Sequence, residues 1–343
     1  MAKFILSKNK VMEKYEEMKE ISDNVAYSYK TNPNVGRVLF DSDSMFGINS
    51  YNNYEEVSKE ISKNRILYFL QGESKEKIVN LVNNLNWFVV DNENDLKKLL
   101  DISKKEKKEI NLFIRIKIKE HTVYTGKYFV YGIAWNKANK IISDLDNKFI
   151  NKLGVHFHRK TQNIGEWYLK DDIEDALSKE TLDKIDLLNI GGGVPSNYIN
   201  SKPKLKYIFK KIKELKKFLN NKDIKLITEP GRYISAPSVR LKAKILNIYD
   251  GNVIIDCSIF NAYMDTYLMH MRLPVKGEVE KGKFKYLIKG CSPDSLDIFR
   301  YKVNFNEKLN VGENLVLKNA GAYNFHTNFG NLDKIKTEIV DKF

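Results

Sequence analysis

Cysteine is scarce in this chain of 343 residues, which contains only Cys257 and Cys291. Two cysteines exclude a disulfide-stabilised scaffold and a cysteine-rich metal site, and they suit the reducing conditions of the cytoplasm. Long apolar runs are also absent, since none reaches the roughly 18 residues that a membrane-spanning helix requires. Residues 1–20 contain neither a long apolar stretch nor a small-residue cleavage site, so no secretory signal is predicted. We therefore expect a cytoplasmic protein that does not bind a membrane.

Arginine is sparse, although the chain is basic. The 58 Lys and Arg residues exceed the 44 Asp and Glu residues and give a net charge of +14. Most of the excess is lysine, scattered along the chain with clusters at 104–108 and 202–217. Because arginine is the usual reader of bases, this distribution is more typical of a lysine-rich solvated surface than of a nucleic-acid interface. We predict no nucleic-acid partner, although the charge can attract small anions.

Apolar residues make up 42% of the chain and aromatic residues 12%, which is enough for a full core and too much for a disordered chain. Up to residue 230, short apolar runs alternate with amphipathic stretches. Strands are predicted at 66–70, 87–90, 112–118, 154–158, 185–190 and 224–228. Helices, in which apolar residues recur every three or four positions, are predicted at 76–85, 93–103 and 205–219. This many strand–helix units predict an α/β fold with a (β/α)8 TIM-like barrel over 24–237.

The pattern changes after residue 230, where strand-like segments follow one another with few helical stretches between them. These strands are predicted at 239–249, 252–257, 283–288 and 314–317, with glycines marking the turns. Residues 238–343 are therefore expected to form an antiparallel β-domain. The N-terminal segment, residues 1–23, is expected to join that domain through a strand at 4–7.

Lys30, in the segment YSYKTN, would lie at the C-terminal end of an early barrel strand, which is where such barrels place their chemistry. A desolvated lysine amine there can lose its proton and form a Schiff base. The alternative is an ordinary surface lysine.

Two glycine motifs follow buried-looking strands. The run NIGGGVP at 189–195 leaves backbone amides uncovered, and such amides can bind a phosphate; the alternative is a flexible turn. It is neither a Walker loop nor a dinucleotide motif. In TEPGRY at 228–233, Glu229 could pair with a protonated ring nitrogen, while Gly231 and Arg232 could contact phosphate. The alternative is a turn with a solvated Glu–Arg pair.

Three further segments contain candidate side chains. His156 and His158 share one face of a predicted strand. We favour stacking of one imidazole ring on a flat cofactor over zinc binding, because no third metal ligand is visible nearby. The other histidine can be an ordinary residue of the core. In GCSPDSLD at 290–297, aspartates could bind a substrate amine and Cys291 could donate a proton, or the run could simply be a turn. Tyr323, in NAGAY, could reach a phosphate or pack as an ordinary aromatic residue.

Taken in this order, the motifs resemble those of the pyridoxal-phosphate decarboxylases of the alanine racemase fold, over residues 24–335. That group includes ornithine, diaminopimelate and carboxynorspermidine decarboxylases. The resemblance implies pyridoxal 5'-phosphate as the cofactor, held covalently by Lys30, with His158 stacked on its ring and Glu229 paired with its ring nitrogen. It also implies a set of phosphate contacts: Thr161, Gly191, Gly192, Gly193, Gly231, Arg232 and Tyr323.

The resemblance implies a homodimer in which the 290–297 loop of one subunit enters the active site of the other. Asp294 then binds the substrate, and a proton returns to the substrate from Cys291, Lys30 or water. Two alignments of the loop stay open: one anchored on Asp297, which puts Pro293 where the family has a cysteine, and one anchored on Cys291, with two extra residues before the aspartate. The segment 256–274 is similar to the carboxynorspermidine branch, which makes Arg272 a second candidate for substrate binding.

The implied activity is decarboxylation of an amino acid with a distal amine, a distal carboxylate or both, such as diaminopimelate, ornithine or carboxynorspermidine. A racemase on the same fold is the first alternative. It requires a second base, for which Tyr263 or Tyr267 could serve, and Glu229 argues against it. A non-catalytic regulatory relative is the second, against which Lys30, Glu229 and the glycine run argue.

Overall fold

Two β-sheets organise the computed structural model, which describes residues 1–118, 131–146 and 148–343. The strands, in chain order, are β1 (Lys3–Ser7), β2 (Asn24–Ser28), β3 (Met45–Ile48), β4 (Ile66–Leu70), β5 (Trp87–Val90), β6 (Ile110–Lys117), β7 (Ile133–Ala134), β8 (Ile150–His156), β9 (Leu187–Asn189), β10 (Lys225–Thr228), β11 (Val239–Tyr249), β12 (Asn252–Ile255), β13 (Phe284–Lys289), β14 (Ile298–Phe305), β15 (Asn314–Leu317) and β16 (Lys336–Val340).

The α-helices lie mainly between the strands of the first sheet. They are α1 (Lys8–Lys19), α2 (Pro33–Val38), α3 (Tyr51–Val57), α4 (Lys75–Asn84), α5 (Glu93–Glu106), α6 (Trp135–Asp144), α7 (Leu169–Ala176), α8 (Lys179–Lys184), α9 (Leu205–Asn220), α10 (Arg232–Ser238), α11 (Ile259–Ala262) and α12 (Asp265–Leu268). Among the described residues, no helix is long and apolar enough to cross a membrane.

Helix α9 illustrates how the local sequence forms these elements. Its buried residues, Ile208, Ile212, Leu215 and Leu219, recur at helical spacing and form one apolar stripe. Four lysines on the opposite side of the helix are exposed to solvent, namely Lys206, Lys210, Lys213 and Lys217. The predicted helix at 205–219 is confirmed, with one residue more at its C-terminal end.

The first sheet is a closed barrel. Among the described residues, eight parallel strands pair in the order β2, β3, β4, β5, β6, β8, β9 and β10, and β10 pairs with β2 to close the ring. The short β7 adds to the end of β6. The predicted (β/α)8 barrel is therefore confirmed, with connecting helices that place the C-terminal ends of all barrel strands at one mouth.

The barrel is filled by side chains and is not an open pore. One layer of its interior contains a residue from seven of the eight barrel strands, namely Ala26, Met45, Leu67, Val89, Phe113, Leu187 and Ile227. The eighth strand, β8, contributes Gly154, which pairs in register with both Phe113 and Leu187. Because Gly154 has no side chain, the ring of Phe113 can occupy that side of the layer.

The second sheet is antiparallel-rich, as predicted, but it contains two parallel pairs. Its strands run in the order β14, β13, β12, β11, β1 and β16, and β15 also pairs with β11. β1 pairs antiparallel with β11 and parallel with β16, so both ends of the chain lie in one sheet. β12 and β13 are parallel because the long connection through α11 and α12 permits a crossover. The division of the chain into domains at residue 237 stays a prediction.

We expect Gly154→Ala to destabilise the barrel, because a β-carbon at residue 154 would lie 2.4 Å from the Phe113 ring. Overpacking of this kind costs about 1–3 kcal/mol in the free energy of unfolding. Gly165→Ala is the matched control, since a β-carbon added there would have no atom within 4 Å, and it should change stability by less than about 0.5 kcal/mol. Urea unfolding of the three proteins measures the difference; equal midpoints would show that the barrel interior is not filled here.

Candidate active site

A cavity of about 90 Å³ opens at the mouth of the barrel, where the C-terminal ends of the parallel strands meet. Ligand sites in barrels of this type lie at that mouth. The residues that line it are Ser28, Lys30, Thr31, Asn49, Phe69, Arg115, His156, His158, Thr161, Gly192, Gly193, Glu229, Gly231, Arg232 and Tyr323.

Most of the site residues expected from the sequence line this cavity together, although they come from distant parts of the chain. The group comprises Lys30, His158, Thr161, Gly192, Gly193, Glu229, Gly231, Arg232 and Tyr323. Gly191 does not line the cavity but directly precedes two glycines that do, and a β-carbon added there would lie 2.6 Å from the Phe157 carbonyl oxygen. Cys291, Asp294 and Arg272 do not line the cavity of the single chain.

Lys30 lies in a one-turn 3-10 helix, Tyr29–Thr31, directly after β2. The residues on either side of it hold this turn in place. The Tyr29 hydroxyl donates to the Glu56 carboxylate at 2.9 Å, and the Tyr27 hydroxyl donates to the Asn32 carbonyl at 3.0 Å. The Lys30 side chain is exposed, and no ion-pair partner is found for it among the described residues. An amine is thus presented to the cavity on a rigid turn.

Glu229 follows β10 and is buried, with a relative accessibility of 6%. Its Oε1 accepts a hydrogen bond from the Asn189 side-chain amide at 2.7 Å. His156 Nε2 lies 3.3 Å from the same oxygen, at an angle outside that of a hydrogen bond. Burial by itself would raise the pKa of the Glu229 carboxyl, but His156 and Asn189 outweigh it and hold the pKa below its ordinary value. The carboxylate is therefore ionised at neutral pH.

Burial favours the neutral form of both histidines of the cavity. Burial lowers the pKa of His156 below its ordinary value, even though the Glu229 carboxylate lies beside it. Burial, with the neighbouring Arg115 cation as the next cause, lowers the pKa of His158 to about 3. A neutral imidazole ring is suited to stacking on a flat aromatic ligand.

The glycine run forms two turns that other residues could not adopt without strain. Gly191 and Gly193 have φ angles of 64° and 99°. A β-carbon at Gly193 would lie 2.5 Å from the Lys160 carbonyl oxygen, so the turn packs tightly on the loop after β8. Among the described residues, no acceptor is found for the backbone amides of Gly192 and Gly193. Such free amides form an anion-binding concavity.

Arg232 is buried beside these turns and is already paired with other protein groups. Its guanidinium donates to both carboxylate oxygens of Asp265, with Nη2 at 3.1 Å from Oδ1, and Nη1 lies 3.1 Å from the Tyr198 hydroxyl. Burial would lower its pKa, but Tyr198 and Asp265 outweigh burial and raise the pKa, so Arg232 stays a cation. Its Nε is buried and has no hydrogen-bond partner.

These features fit pyridoxal 5'-phosphate, which carries an aldehyde, an aromatic ring nitrogen and a phosphate. Lys30 supplies an amine, Glu229 an ionised acceptor and His158 a neutral ring. The free amides of the glycine turns and the unpaired Nε of Arg232 supply donors for an anion. Within the described ranges, no group of three or more His, Cys, Asp or Glu side chains is placed to hold a metal ion.

The 290–297 loop lies in the β-domain and is anchored by Asp297. This buried carboxylate accepts from the Ile259 amide at 2.9 Å and from the Ser292 amide at 3.0 Å. Asp294 lies near the loop tip and is half-buried, and its Oδ1 accepts from the Leu296 amide at 2.8 Å. Partial burial raises the pKa of the exposed Cys291 thiol, which therefore stays protonated. The loop thus carries one carboxylate and one neutral thiol that do not line the cavity of their own chain.

The remaining candidates also lie outside the cavity. The Arg272 guanidinium stacks over the Tyr301 ring, with 5.3 Å between the guanidinium carbon and the ring centroid. Tyr263 is fully buried, 3.2 Å from the Tyr198 hydroxyl, and Tyr267 is exposed on the surface. Neither tyrosine lines the cavity as the second base of a racemase would have to do.

The sequence interpretation missed Arg115, Asn189 and Asp265 as parts of the site. Arg115 could have been found from the strand period, because it lies two residues after Phe113 on the same face of β6 and closer to the barrel mouth. Asn189 and Asp265 act through Glu229 and Arg232. Those contacts join residues far apart in the chain, and no local pattern predicts them.

We expect the protein to lose stability as the pH falls from 7 to 5, in part because of His158. Unfolded histidine binds a proton below about pH 6.5, whereas folded His158, with its pKa of about 3, does not. The unfolded state therefore binds more protons in this window, which lowers stability by up to about 2 kcal/mol at pH 5. Urea unfolding at pH 7 and pH 5 measures this loss of stability. In the His158→Asn variant the loss between the two pH values should be smaller by up to about 2 kcal/mol. An equal loss in both proteins would contradict a buried neutral His158.

Known proteins resemble this chain in sequence and in fold. The family described as pyridoxal-dependent decarboxylase, pyridoxal binding domain, matches residues 8–236. The ornithine decarboxylase of Schizosaccharomyces pombe is 22% identical over 263 residues, which cover 70% of this chain and 58% of that relative. The chain thus spans less than two thirds of the length of this curated relative.

Solved structures share the fold over nearly the whole chain. A lysine/ornithine decarboxylase from Vibrio vulnificus, complexed with cadaverine, is 21% identical with a TM-score of 0.79 and covers 99% of this chain and 95% of its own. A diaminopimelate decarboxylase from Helicobacter pylori, complexed with L-lysine, is 20% identical with a TM-score of 0.84 and covers 99% and 91%. At these identities the likeness is one of fold. Because the family match over residues 8–236 covers about two thirds of the chain, the chain belongs to the pyridoxal-dependent decarboxylases.

Proposed function

We propose that the protein is a pyridoxal-phosphate-dependent decarboxylase of an amino acid that has a distal amine, a distal carboxylate or both, like diaminopimelate, ornithine or carboxynorspermidine. The observation that carries the proposal is the convergence of Lys30, Glu229 and the glycine turns on one cavity. An amine, an ionised carboxylate and a phosphate site are the three groups that the cofactor requires. The cofactor, when bound, supplies an electron-accepting ring for the electron pair that departing CO₂ leaves behind.

The residues of the cavity divide this work. Lys30 binds the cofactor covalently, and His158 supports the face of its ring. Glu229 keeps a proton on the ring nitrogen, which makes the ring a stronger electron acceptor. Thr161, Gly191, Gly192, Gly193, Gly231, Arg232 and Tyr323 surround the phosphate. The unused amides of the glycine turns support this assignment.

We assign substrate recognition to a homodimer with shared active sites. Asp294 and Cys291 do not line the cavity of their own chain, which supports a role for them in the cavity of a second subunit. In this arrangement Asp294 binds a distal amine, Arg272 a distal carboxylate, and the protonated Cys291 thiol returns a proton to the substrate. Both cysteines are free, as expected in the cytoplasm.

The purified protein with cofactor is expected to release CO₂ from at least one of ornithine, lysine, arginine, diaminopimelate and carboxynorspermidine. Lys30→Ala should abolish release, because the covalent attachment is lost. Borohydride reduction followed by mass spectrometry should place the cofactor on residue 30 of the wild-type chain. Lys334→Ala is the matched control, because it removes a lysine from the adjoining cavity that Lys30 also lines, and it should keep the label.

Two outcomes would replace this proposal. Loss of optical activity without CO₂ release would indicate a racemase. Absence of both a cofactor label and a visible absorbance band would indicate a non-catalytic relative.

For a substrate with a distal amine, Asp294→Ala is expected to lower kcat/KM by roughly 10- to 100-fold, because a hydrogen bond to a charged group is lost. The cofactor dissociation constant should not change, since Asp294 does not line the cofactor cavity. Asp294→Asn removes the charge but keeps an oxygen for the Leu296 amide, so it separates loss of recognition from loss of loop structure. Unchanged turnover in both variants would remove Asp294 from the substrate site.

A further inference from the structure

Thr31, which follows Lys30, has a side chain that the structure leaves without a partner. The residue has a relative accessibility of 2%, and its Oγ1 is buried with no hydrogen-bond partner. Thr31 nevertheless lines the cavity at the barrel mouth. A buried hydroxyl without an acceptor is costly, so native proteins rarely contain one unless a ligand or water satisfies it. We therefore expect a ligand in the cavity to accept a hydrogen bond from this hydroxyl.

The position of Thr31 is set by both sheets. Its carbonyl accepts a hydrogen bond from the Tyr323 amide at 3.0 Å. The next residue, Asn32, donates from its side chain to the Gly321 carbonyl at 2.8 Å. Thr31 is therefore held against the segment that carries Tyr323. Its hydroxyl has a fixed location that does not depend on the long, exposed side chain of Lys30.

The neighbours of the hydroxyl are donors. A β-carbon at Gly231 would lie 2.1 Å from Thr31 Oγ1, so the hydroxyl lies directly against the Gly231 backbone. No acceptor is found for the Gly231 amide within the described part of the chain. Arg232, the next residue, has a buried Nε that also lacks a partner. The Thr31 hydroxyl thus lies beside the Gly231 backbone, and neither the hydroxyl, nor the Gly231 amide, nor the Nε of the adjoining Arg232 has an acceptor among the described residues.

One carboxylate oxygen of the cavity already has a donor from the protein, and the cation beside Thr31 already has an acceptor. Of the described residues that line the cavity, Glu229 is the one acid, and its Oε1 is taken by Asn189. Asp265 takes both terminal nitrogens of Arg232 and offsets its charge. Arg232 therefore offers an anion only its Nε hydrogen bond and a charge that Asp265 partly neutralises. A further hydrogen-bond donor beside Arg232 would strengthen anion binding.

We propose that the Thr31 hydroxyl is an additional phosphate ligand, which donates a hydrogen bond to the phosphate monoester of the cofactor beside Gly231 and Arg232. This inference rests on the proposed function for the identity of the ligand. It assigns to Thr31 a role separate from that of Lys30, which reacts with the aldehyde of the same molecule and not with its phosphate. It predicts that Thr31 affects ligands with a phosphate and leaves the others unaffected.

The test compares Thr31→Val, which keeps the shape and removes the hydroxyl, with Thr31→Ser, which keeps the hydroxyl. Wild-type apoprotein and both variants are titrated with pyridoxal 5'-phosphate and with pyridoxal, followed by visible absorbance. We expect Thr31→Val to raise the dissociation constant for the phosphorylated ligand on the order of 10-fold, because a hydrogen bond to a charged group is lost. The pyridoxal constant should be unchanged, and Thr31→Ser should bind both ligands as the wild type does.

Thermal unfolding of the apoproteins with and without inorganic phosphate supplies a second readout that needs no cofactor chemistry. Phosphate should raise the midpoint of the wild type and of Thr31→Ser more than that of Thr31→Val. Without phosphate, Thr31→Val should unfold at the same or a higher temperature, because the unpaired hydroxyl is gone.

The two proposals fail in different ways. If the wild type binds no pyridoxal 5'-phosphate, the proposed function is overturned, and the phosphate-dependent midpoints alone decide whether Thr31 belongs to an anion site. If the wild type and Thr31→Val bind the cofactor equally well, the phosphate role of Thr31 is overturned. The same holds if Thr31→Val weakens the binding of pyridoxal 5'-phosphate and of pyridoxal by the same factor, because Thr31 is then a packing residue. Equal stabilisation of all three proteins by phosphate also overturns it.

Discussion

The structure depends on keeping one carboxylate ionised at the mouth of a closed barrel. Glu229 is removed from water there, which opposes its charge, and it is stabilised by the Asn189 amide and by the nearby His156. Asn189 also accepts a hydrogen bond from the Gly191 amide at 2.8 Å, and the Glu229 amide donates to the Gly191 carbonyl at 2.8 Å. The acid and the first glycine turn are therefore one rigid unit. A ligand that contacts both the Glu229 carboxylate and the glycine turn therefore meets two groups at a fixed distance from each other.

A second buried charge complements the first. The Arg232–Asp265 pair is nearly neutral as a unit, and it leaves one guanidinium nitrogen without a partner. Together with the free amides of the glycine turns, this makes the phosphate end of the cavity rich in donors and poor in acceptors. At the other side of the cavity, Glu229 provides a hydrogen-bond acceptor in a fixed position. This polarity within one cavity suits a ligand with an anionic group at one end and a protonated nitrogen at the other.

Particular elements show how far the sequence could predict the fold. The strand at 66–70 and the helix at 205–219 were predicted to within one residue, because each has an apolar pattern with the period of its own secondary structure. The predicted strand at 154–158 ends at His156 in the structure, since His158 already belongs to the loop over the cavity. The two parallel pairs of the second sheet were not predicted, because strand direction depends on how long connections run and not on the pattern within a strand.

The sequence by itself determined the alternation of strands and helices, the glycines of the turns and the residue types at the site, because each is a local property of a few neighbouring residues. The tertiary structure alone decided which groups meet. It paired Arg232 with Asp265, placed Asn189 between Glu229 and Gly191, and left the Thr31 hydroxyl without an acceptor. Such pairings depend on the closure of the barrel and on the packing of the second sheet against it, which bring distant segments within hydrogen-bond distance.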